Sequence, residues 1–306
     1  MAFYYPWYGT PEVSGKWSHW DWMEGAPYEM NDTGYPNLRI PFHPEGGVYD
    51  SSDPGVIHRH IALAEKAGID VLIFSWWGPG SESDAIFEKL LDEIEKTGSQ
   101  VRATVYYETV PGRDPKNAEK EFLYILEKYG GRNGFFRARN APVIFIYSRA
   151  MFEINTGGWK RVVKRIKMRT PVLFIADMDF FAYLDIFDGI HRYNPVADVM
   201  AEKSTEDIYR PLMDICGKKR IIAAVTIIPG YDDRLLDYPF DTMVERRGGA
   251  LYREMWEGAI GLRPDWVLIT SFNEWHEGSQ IEPAMEYGDK YLEITAEYSK
   301  KFKSEP

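Results

Sequence analysis

Residues 53–77 read DPGVIHRHIALAEKAGIDVLIFSWW, and this one stretch holds a complete helix-then-strand unit. Asp53 supplies a cap and Pro54 the first helical turn. Ile57, Ile61, Ala64 and Ala67 recur at helical spacing, and Gly68 stops the run. The next segment, 69–75, is short and apolar on both alternations, as a parallel strand covered on both faces should be. A helix that delivers such a strand is the repeating unit of an α/β fold.

The same alternation extends in both directions. Strands are expected at 2–5, 69–75, 101–107, 143–147, 172–177, 189–193, 221–227 and 266–272, with further helices at 84–96, 116–129, 159–167, 205–216, 249–261 and 287–302. Residues 180–184 can supply only a short one. Eight strands with helical connectors predict one closed (β/α)8 barrel, a TIM barrel, over residues 1–306. That length suits a single domain, since such barrels take roughly 250 residues. A doubly wound open sheet is the alternative, but no Gly-rich phosphate fingerprint follows the first strand. Segment 7–53, rich in Gly, Pro and aromatics, forms a long loop after strand one, and loops of that length are usually functional.

Composition excludes several functions. Thirty-six basic residues against 47 acidic ones give a net charge of −11, and no Lys/Arg block offsets it, so nucleic acid is not an expected partner. No run reaches the roughly 20 apolar residues of a membrane span. Met1 leads almost directly into Phe3-Tyr4-Tyr5, without the basic and apolar regions of a signal peptide, so the chain as numbered reads as cytoplasmic; a signal peptide removed earlier would leave the same appearance. Nothing in the sequence specifies an oligomeric state. Cys216 is the only cysteine, which excludes intrachain disulfides and a thiolate metal cluster and predicts a buried thiol on a helix.

Neither a metal nor a cofactor is expected. His58 and His60 point to different faces of the first long helix and read as helix surface. His276-Glu277-Gly278 lacks the second His of a zinc-protease motif. Asp177-Met178-Asp179 is an acidic pair of the sort that can hold a divalent ion, but no nucleotide motif accompanies it. Trp77-Gly78-Pro79-Gly80 makes a poor phosphate cradle, because Pro79 removes an N–H donor.

In a barrel the active site lies at the C-terminal strand ends. Those ends here are Tyr5-Pro6-Trp7-Tyr8, Trp76-Trp77, Tyr106-Tyr107-Glu108, Tyr147-Ser148-Arg149, Asp177-Met178-Asp179, Tyr193-Asn194, Pro229-Gly230-Tyr231-Asp232 and Asn273-Glu274-Trp275-His276-Glu277-Gly278. Aromatics make up 15% of the chain, and many sit at this rim or, like His19, Trp17, Trp20 and Trp22, in the loop beside it. Sugars present flat C–H faces to aromatic rings and hydroxyls to carboxylates, amides and phenols, so the rim suits an oligosaccharide or polysaccharide. The expected substrate-binding set is Tyr5, Trp7, His19, Trp77, Glu108, Tyr147, Arg149, Tyr193, Tyr231, Asn273 and His276. Glu274 and Glu277 are the expected catalytic pair. Three apart on a helix-like turn, their Cβ atoms would lie about 5–6 Å from each other. Retaining glycosidases hold their carboxyls at roughly 5–5.5 Å, so the spacing favours retention. Two neighbouring carboxylates also raise one pKa, keeping one group protonated as an acid while the other serves as base.

Six segments, FYYPWYG (3–9), YDSSDP (49–54), IFSWW (73–77), PGYDD (229–233), RRGGALYREMW (246–256) and SFNEWHEGSQIEP (271–283), together resemble glycoside hydrolase family 99, the endo-α-mannosidase family. The resemblance spans the barrel from first strand to last. It implies a retaining, endo-acting hydrolase in which Glu274 is the base toward the sugar 2-hydroxyl and Glu277 the general acid/base, through a 1,2-anhydro sugar. That route requires O2 trans to the leaving oxygen, which an α-mannoside satisfies and a β-glucoside also satisfies. The chain departs from the family at two places. Tyr106-Tyr107-Glu108-Thr109-Val110 replaces a His-Ile-Glu-Pro-Tyr segment, and Arg149 stands where a neutral aromatic or hydroxyl group is expected. Alongside an α-mannoside, a β-linked or acidic glycan therefore stays open as substrate, and so does a glycan-binding barrel without catalysis.

Overall fold

The computed structural model describes residues 1–20, 38–177, 183–236 and 241–304. Eight strands form the barrel: β1 Ala2–Tyr4, β2 Val71–Trp76, β3 Arg102–Tyr107, β4 Ala141–Ile146, β5 Leu173–Asp177, β6 Gly189–His191, β7 Ile222–Ile227 and β8 Trp266–Ile269. Every adjacent pair is parallel, in the order β3-β2-β1-β8-β7-β6-β5-β4, and a β3–β4 pairing of Tyr106 with Phe145 and Tyr107 with Ile146 closes the ring. A short strand, Arg137–Ala138, adds an antiparallel edge to β4. The closed (β/α)8 architecture is thus the one read from the alternating pattern, and closure leaves no open parallel edge.

Outside the strands lie α1 Pro54–Lys66, α2 Glu82–Thr97, α3 Pro115–Lys128, α4 Thr156–Lys167, α5 Thr205–Lys219, α6 Ala250–Leu262 and α7 Lys290–Ser304. In α1 the Asp53 carboxylate accepts from the Gly55 N–H, Pro54 opens the first turn, and Gly68 just past the end takes φ +68°, a conformation that costs glycine little. The two-residue period of each strand separates two cores. Val71 and Ile73 point into the barrel with Phe3, Tyr106, Val143 and Ile175, while Leu72, Phe74 and Trp76 pack outward against the helices.

One expectation fails on α1. His60 is fully buried on the face that carries Ile57, Ile61 and Ala64, although the sequence reading placed it on the surface. Three residues beyond Ile57 and four before Ala64, it belongs to the apolar stripe by geometry, and paired ring nitrogens make its burial tolerable. His58, by contrast, is exposed and meets Glu93. Cys216 is a buried thiol in α5.

Strands β1, β4, β6 and β8 end before the sequence reading placed their ends, because the chain leaves the ladder at the mouth to build turns. The short helix Val196–Met200, between β6 and α5, was not foreseen. Trp22, Met178 and Asp179 lie outside the described residues, as does most of the short helix expected at 180–184. Among the described residues no helix is long and apolar enough to cross a membrane.

Candidate active site

After β8 the chain forms a tight loop instead of continuing the strand. The Gly278 N–H donates to the Trp275 carbonyl and the Ser279 N–H to that of Glu274, with Gly278 at φ +55°, the nested pair of bonds of a helix-terminating paperclip. A Cβ at Gly278 would meet Pro41 at 2.8 Å and the Asp232 backbone nitrogen at 3.2 Å, so glycine is required by contact as well as by conformation. The paperclip puts Glu274 and Glu277 at the two ends of a single turn, in the barrel mouth.

Both carboxyls line one cavity of about 110 Å³ together with Tyr5, Trp7, Glu108, Tyr147, Arg149, Tyr193, Leu236 and His276. Residues from the ends of β1, β3, β4, β6 and β8 therefore meet at one place. Glu274 is 3% exposed; its Oε1 accepts the His276 backbone N–H at 3.2 Å, and its Oε2 has no hydrogen-bond partner among the described residues. Glu277 is partly open to the cavity, and its Oε2 accepts the Tyr193 hydroxyl at 2.8 Å. Burial pushes both carboxyls well above the ordinary range, and for Glu277 the charge of Glu274 adds to the rise. Raised in this way, the pair keeps protons at pH values where a free carboxyl is ionised.

Glu108 forms the opposite wall. Burial raises it to about 7, against the lowering effects of a 2.7 Å hydrogen bond from Ser75 and of Arg149 nearby. Ser75 in turn accepts the Trp77 indole N–H at 3.0 Å. Trp77 is not among the cavity-lining residues, and the Arg149 guanidinium lies 4.9 Å from its ring centroid and 5.4 Å from that of Tyr147. One face of the indole is therefore occupied by a cation. His19 also stands just behind the wall, stacked on Trp7 at 4.8 Å and 6.5 Å from His276.

Two further residues of the expected substrate-binding set lie outside the lining of this cavity and have other partners. Asn273 is fully buried and spends its amide on structure: Oδ1 accepts the Tyr5 N–H at 2.8 Å, and Nδ2 donates to the Tyr5 carbonyl at 2.9 Å and to the Tyr49 hydroxyl at 3.2 Å. It locks β1 to the turn that carries Glu274 and Glu277. Tyr231 belongs to a hairpin, Tyr231–Asp232 with Met243–Val244, and lines a separate cavity with Arg246 and Tyr287. The hairpin's contribution is backbone: the Asp232 N–H donates to the Glu277 carbonyl at 2.7 Å.

Sequence reasoning missed the layer beneath the pair. Trp275 Nε1 and Asn273 Nδ2 donate to the Tyr49 hydroxyl, which donates to Glu282 Oε2 at 2.9 Å. The other Glu282 oxygen is 2.9 Å from His60 Nε2, and His60 Nδ1 is 2.9 Å from the Tyr4 hydroxyl. Burial holds the Tyr4 phenol protonated, so it donates to Nδ1, and the ring donates from Nε2 to the carboxylate. Every bond thus runs toward Glu282. The one available signal was Glu282 itself, an acid in an otherwise apolar run eight residues after Glu274.

Among the described residues no cluster of His, Cys, Asp and Glu is arranged to hold a metal ion. A larger cavity of about 820 Å³ lies between the 196–200 helix, the start of α5 and α6, but its acids, Glu202, Glu206, Glu245 and Glu254, are all exposed. Of these two cavities, among the described residues, the smaller one holds the buried carboxyls.

Known proteins resemble this chain over most of its length. Glycoprotein endo-alpha-1,2-mannosidase of Rattus norvegicus is 30% identical over 99% of this chain and 75% of its own length. The endo-alpha-1,2-mannosidase-like protein of Mus musculus is 29% identical over 93% of this chain and 69% of its own. Among solved structures, the GH99 endo-alpha-mannosidase from Bacteroides thetaiotaomicron superposes with a TM-score of 0.82 at 28% identity, covering 99% of this chain and 96% of that one. The sequence model of Glycosyl hydrolase family 99 matches residues 1–304, from the start of β1 through the end of α7, and with the barrel and its mouth in view the chain belongs to that family.

Proposed function

We propose that the protein is an endo-acting, retaining glycoside hydrolase that cleaves α-mannosidic bonds with help from the substrate's own 2-hydroxyl. The observation that carries this reading is the unequal setting of two carboxyls in one cavity. Glu274 is enclosed, with one oxygen unpartnered among the described residues, while Glu277 opens to the cavity under the Tyr193 hydroxyl. When Glu274 is ionised its charge holds the proton on Glu277, where a leaving oxygen needs it. Family membership and the names of the relatives support an endo-acting enzyme on α-mannosides.

In the first step Glu274 takes the proton of the 2-hydroxyl as O2 bonds to C1 from the face opposite the leaving group. The glycosidic C1–O bond breaks, and Glu277 protonates the departing oxygen. In the second step Glu277, now a carboxylate, removes a proton from water as it adds to C1 and opens the 1,2-anhydro ring. O2 recovers its proton from Glu274. Two inversions at C1 give net retention.

Incubation with α-mannans, high-mannose glycans and β-glucans, followed by mass and anomer analysis, tests the substrate and stereochemistry. Glu277→Gln should lose about 10²–10⁴-fold on natural glycans yet spare substrates with activated leaving groups, whereas Glu274→Gln should slow both. A glycosyl ester trapped on Glu274 overturns the substrate-assisted route in favour of a direct nucleophile.

A further inference from the structure

Arg149 is the one cation among the described residues lining the catalytic cavity, in a wall otherwise supplied by carboxyls, phenols and rings. Its side chain is 48% exposed. The guanidinium lies over both Trp77 and Tyr147, which holds its plane and leaves its N–H edge available, a pre-organisation that lysine could not reproduce. Its ionic partner is Glu108, at 3.9 Å and without a hydrogen bond. Glu108 takes its hydrogen bond from Ser75 and remains raised to about 7, so the Arg149 charge is not consumed by that acid. Among the described residues no hydrogen bond to Arg149 is formed at all, although planar guanidinium groups at a cavity wall ordinarily pair with planar or tetrahedral oxyanions.

Resting on the glycoside-hydrolase reading of the cavity, we propose that Arg149 is a specificity-determining residue that receives an anionic substituent, a carboxylate, phosphate or sulfate, on a sugar unit bound at the Trp77 side of the catalytic pair. A neutral sugar would instead leave the guanidinium without an oxyanion and find one face of the indole already covered. The preferred substrates are therefore acidic glycans whose cleaved bond is still the one Glu274 and Glu277 attack. The same N–H edge serves all three anions, so a panel of substituted substrates distinguishes which of them is used.

The test compares matched α-linked oligomannosides, neutral or bearing one 6-phosphate, one 6-sulfate or one uronic acid unit, with wild type, Arg149→Ala and Arg149→Lys, each checked by thermal melt. The readout is the ratio of kcat/KM for the acidic and neutral member of a pair. Wild type should favour at least one acidic member by about tenfold or more, Arg149→Ala should bring that ratio near one, and Arg149→Lys should fall between. A wild-type ratio at or below one for every pair, or a ratio that Arg149→Ala does not move, overturns the proposal. If neither member of any pair is cleaved, the α-mannoside assignment fails separately, and calorimetric titration with mannose 6-phosphate and mannose decides the role of Arg149. Tighter binding of the phosphate that Arg149→Ala abolishes upholds it, and equal binding of the two overturns it.

Discussion

Tyr193 is the side chain through which the β6 end reaches Glu277. Its backbone N–H donates to Asp177 Oδ1 at 2.9 Å and its carbonyl accepts from the Thr270 hydroxyl, so the ends of β5 and β8 fix it before its phenol meets Glu277. Burial raises the phenol far above its usual range, so it stays protonated and donates to Glu277. A donor favours the ionised form of Glu277 and so opposes the rise that burial and Glu274 impose. Tyr193→Phe should therefore move the alkaline limb of the kcat/KM profile, where Glu277 loses its proton, to higher pH. A hydrogen bond worth about 1 kcal/mol corresponds to roughly 0.7 of a pH unit. A pH–rate series on one substrate reads this directly, and a limb that stays in place or moves down would show that the hydroxyl does not act on Glu277.

The loop after β8 is held from outside by an element far away in sequence. Arg246, buried beside the hairpin, donates from one guanidinium nitrogen to the carbonyls of Gly278 and Gln280, both at 2.8 Å, and lies over the rings of Phe42, Tyr287 and Tyr291. Gly278→Ala must displace Pro41 or the Asp232 backbone, and Asp232 is bonded to the Glu277 carbonyl. We expect kcat to fall by about 10²-fold with the barrel intact, since misplacement of a reacting group by about 1 Å costs that much. Circular dichroism alongside kinetics checks it; full activity would mean that the turn tolerates a shift. The same loop marks how far a sequence can be read. The strands were legible because β-branched and aromatic runs such as 101–107 repeat at barrel spacing, and the pair was legible because EWHE follows a strand. Asn273 and Tyr231 stand outside the lining of the Glu274–Glu277 cavity because side-chain direction at a strand end depends on the adjoining turn, which spacing does not encode. His60 was misread because its partners, Tyr4 and Glu282, are 56 and 222 residues away in sequence and meet it only when β1, α1 and the segment after β8 close together.

At the scale of the whole molecule, the barrel mouth concentrates ionisable groups that the unfolded chain would leave in water, and this ties stability to pH. Glu108, Glu274 and Glu277 all have folded pKa values above their ordinary 4.5. As pH rises past 4.5 the unfolded chain releases these protons while the folded protein keeps them, so the unfolded state gains and stability falls until the folded values are passed. For Glu108 that window closes near 7, and for the coupled pair it extends higher. His191 acts in the opposite direction: buried among Phe3, Tyr106 and Phe145, it has a lowered pKa, so its cost appears as pH falls below its ordinary 6.5. The two effects overlap in a single melting curve but separate in a difference. Glu274→Gln leaves His191 in place and removes one titrating carboxyl, so subtracting the wild-type melting temperature cancels the histidine contribution. That difference should be near zero at about pH 4.5 and grow to roughly +2 °C by about pH 8, the size expected for about 1 kcal/mol in a domain this large. Melts of both proteins across that range measure it. A difference that is flat with pH, or that shrinks as pH rises, would mean that Glu274 is charged in the folded protein as readily as in water and that burial does not raise it.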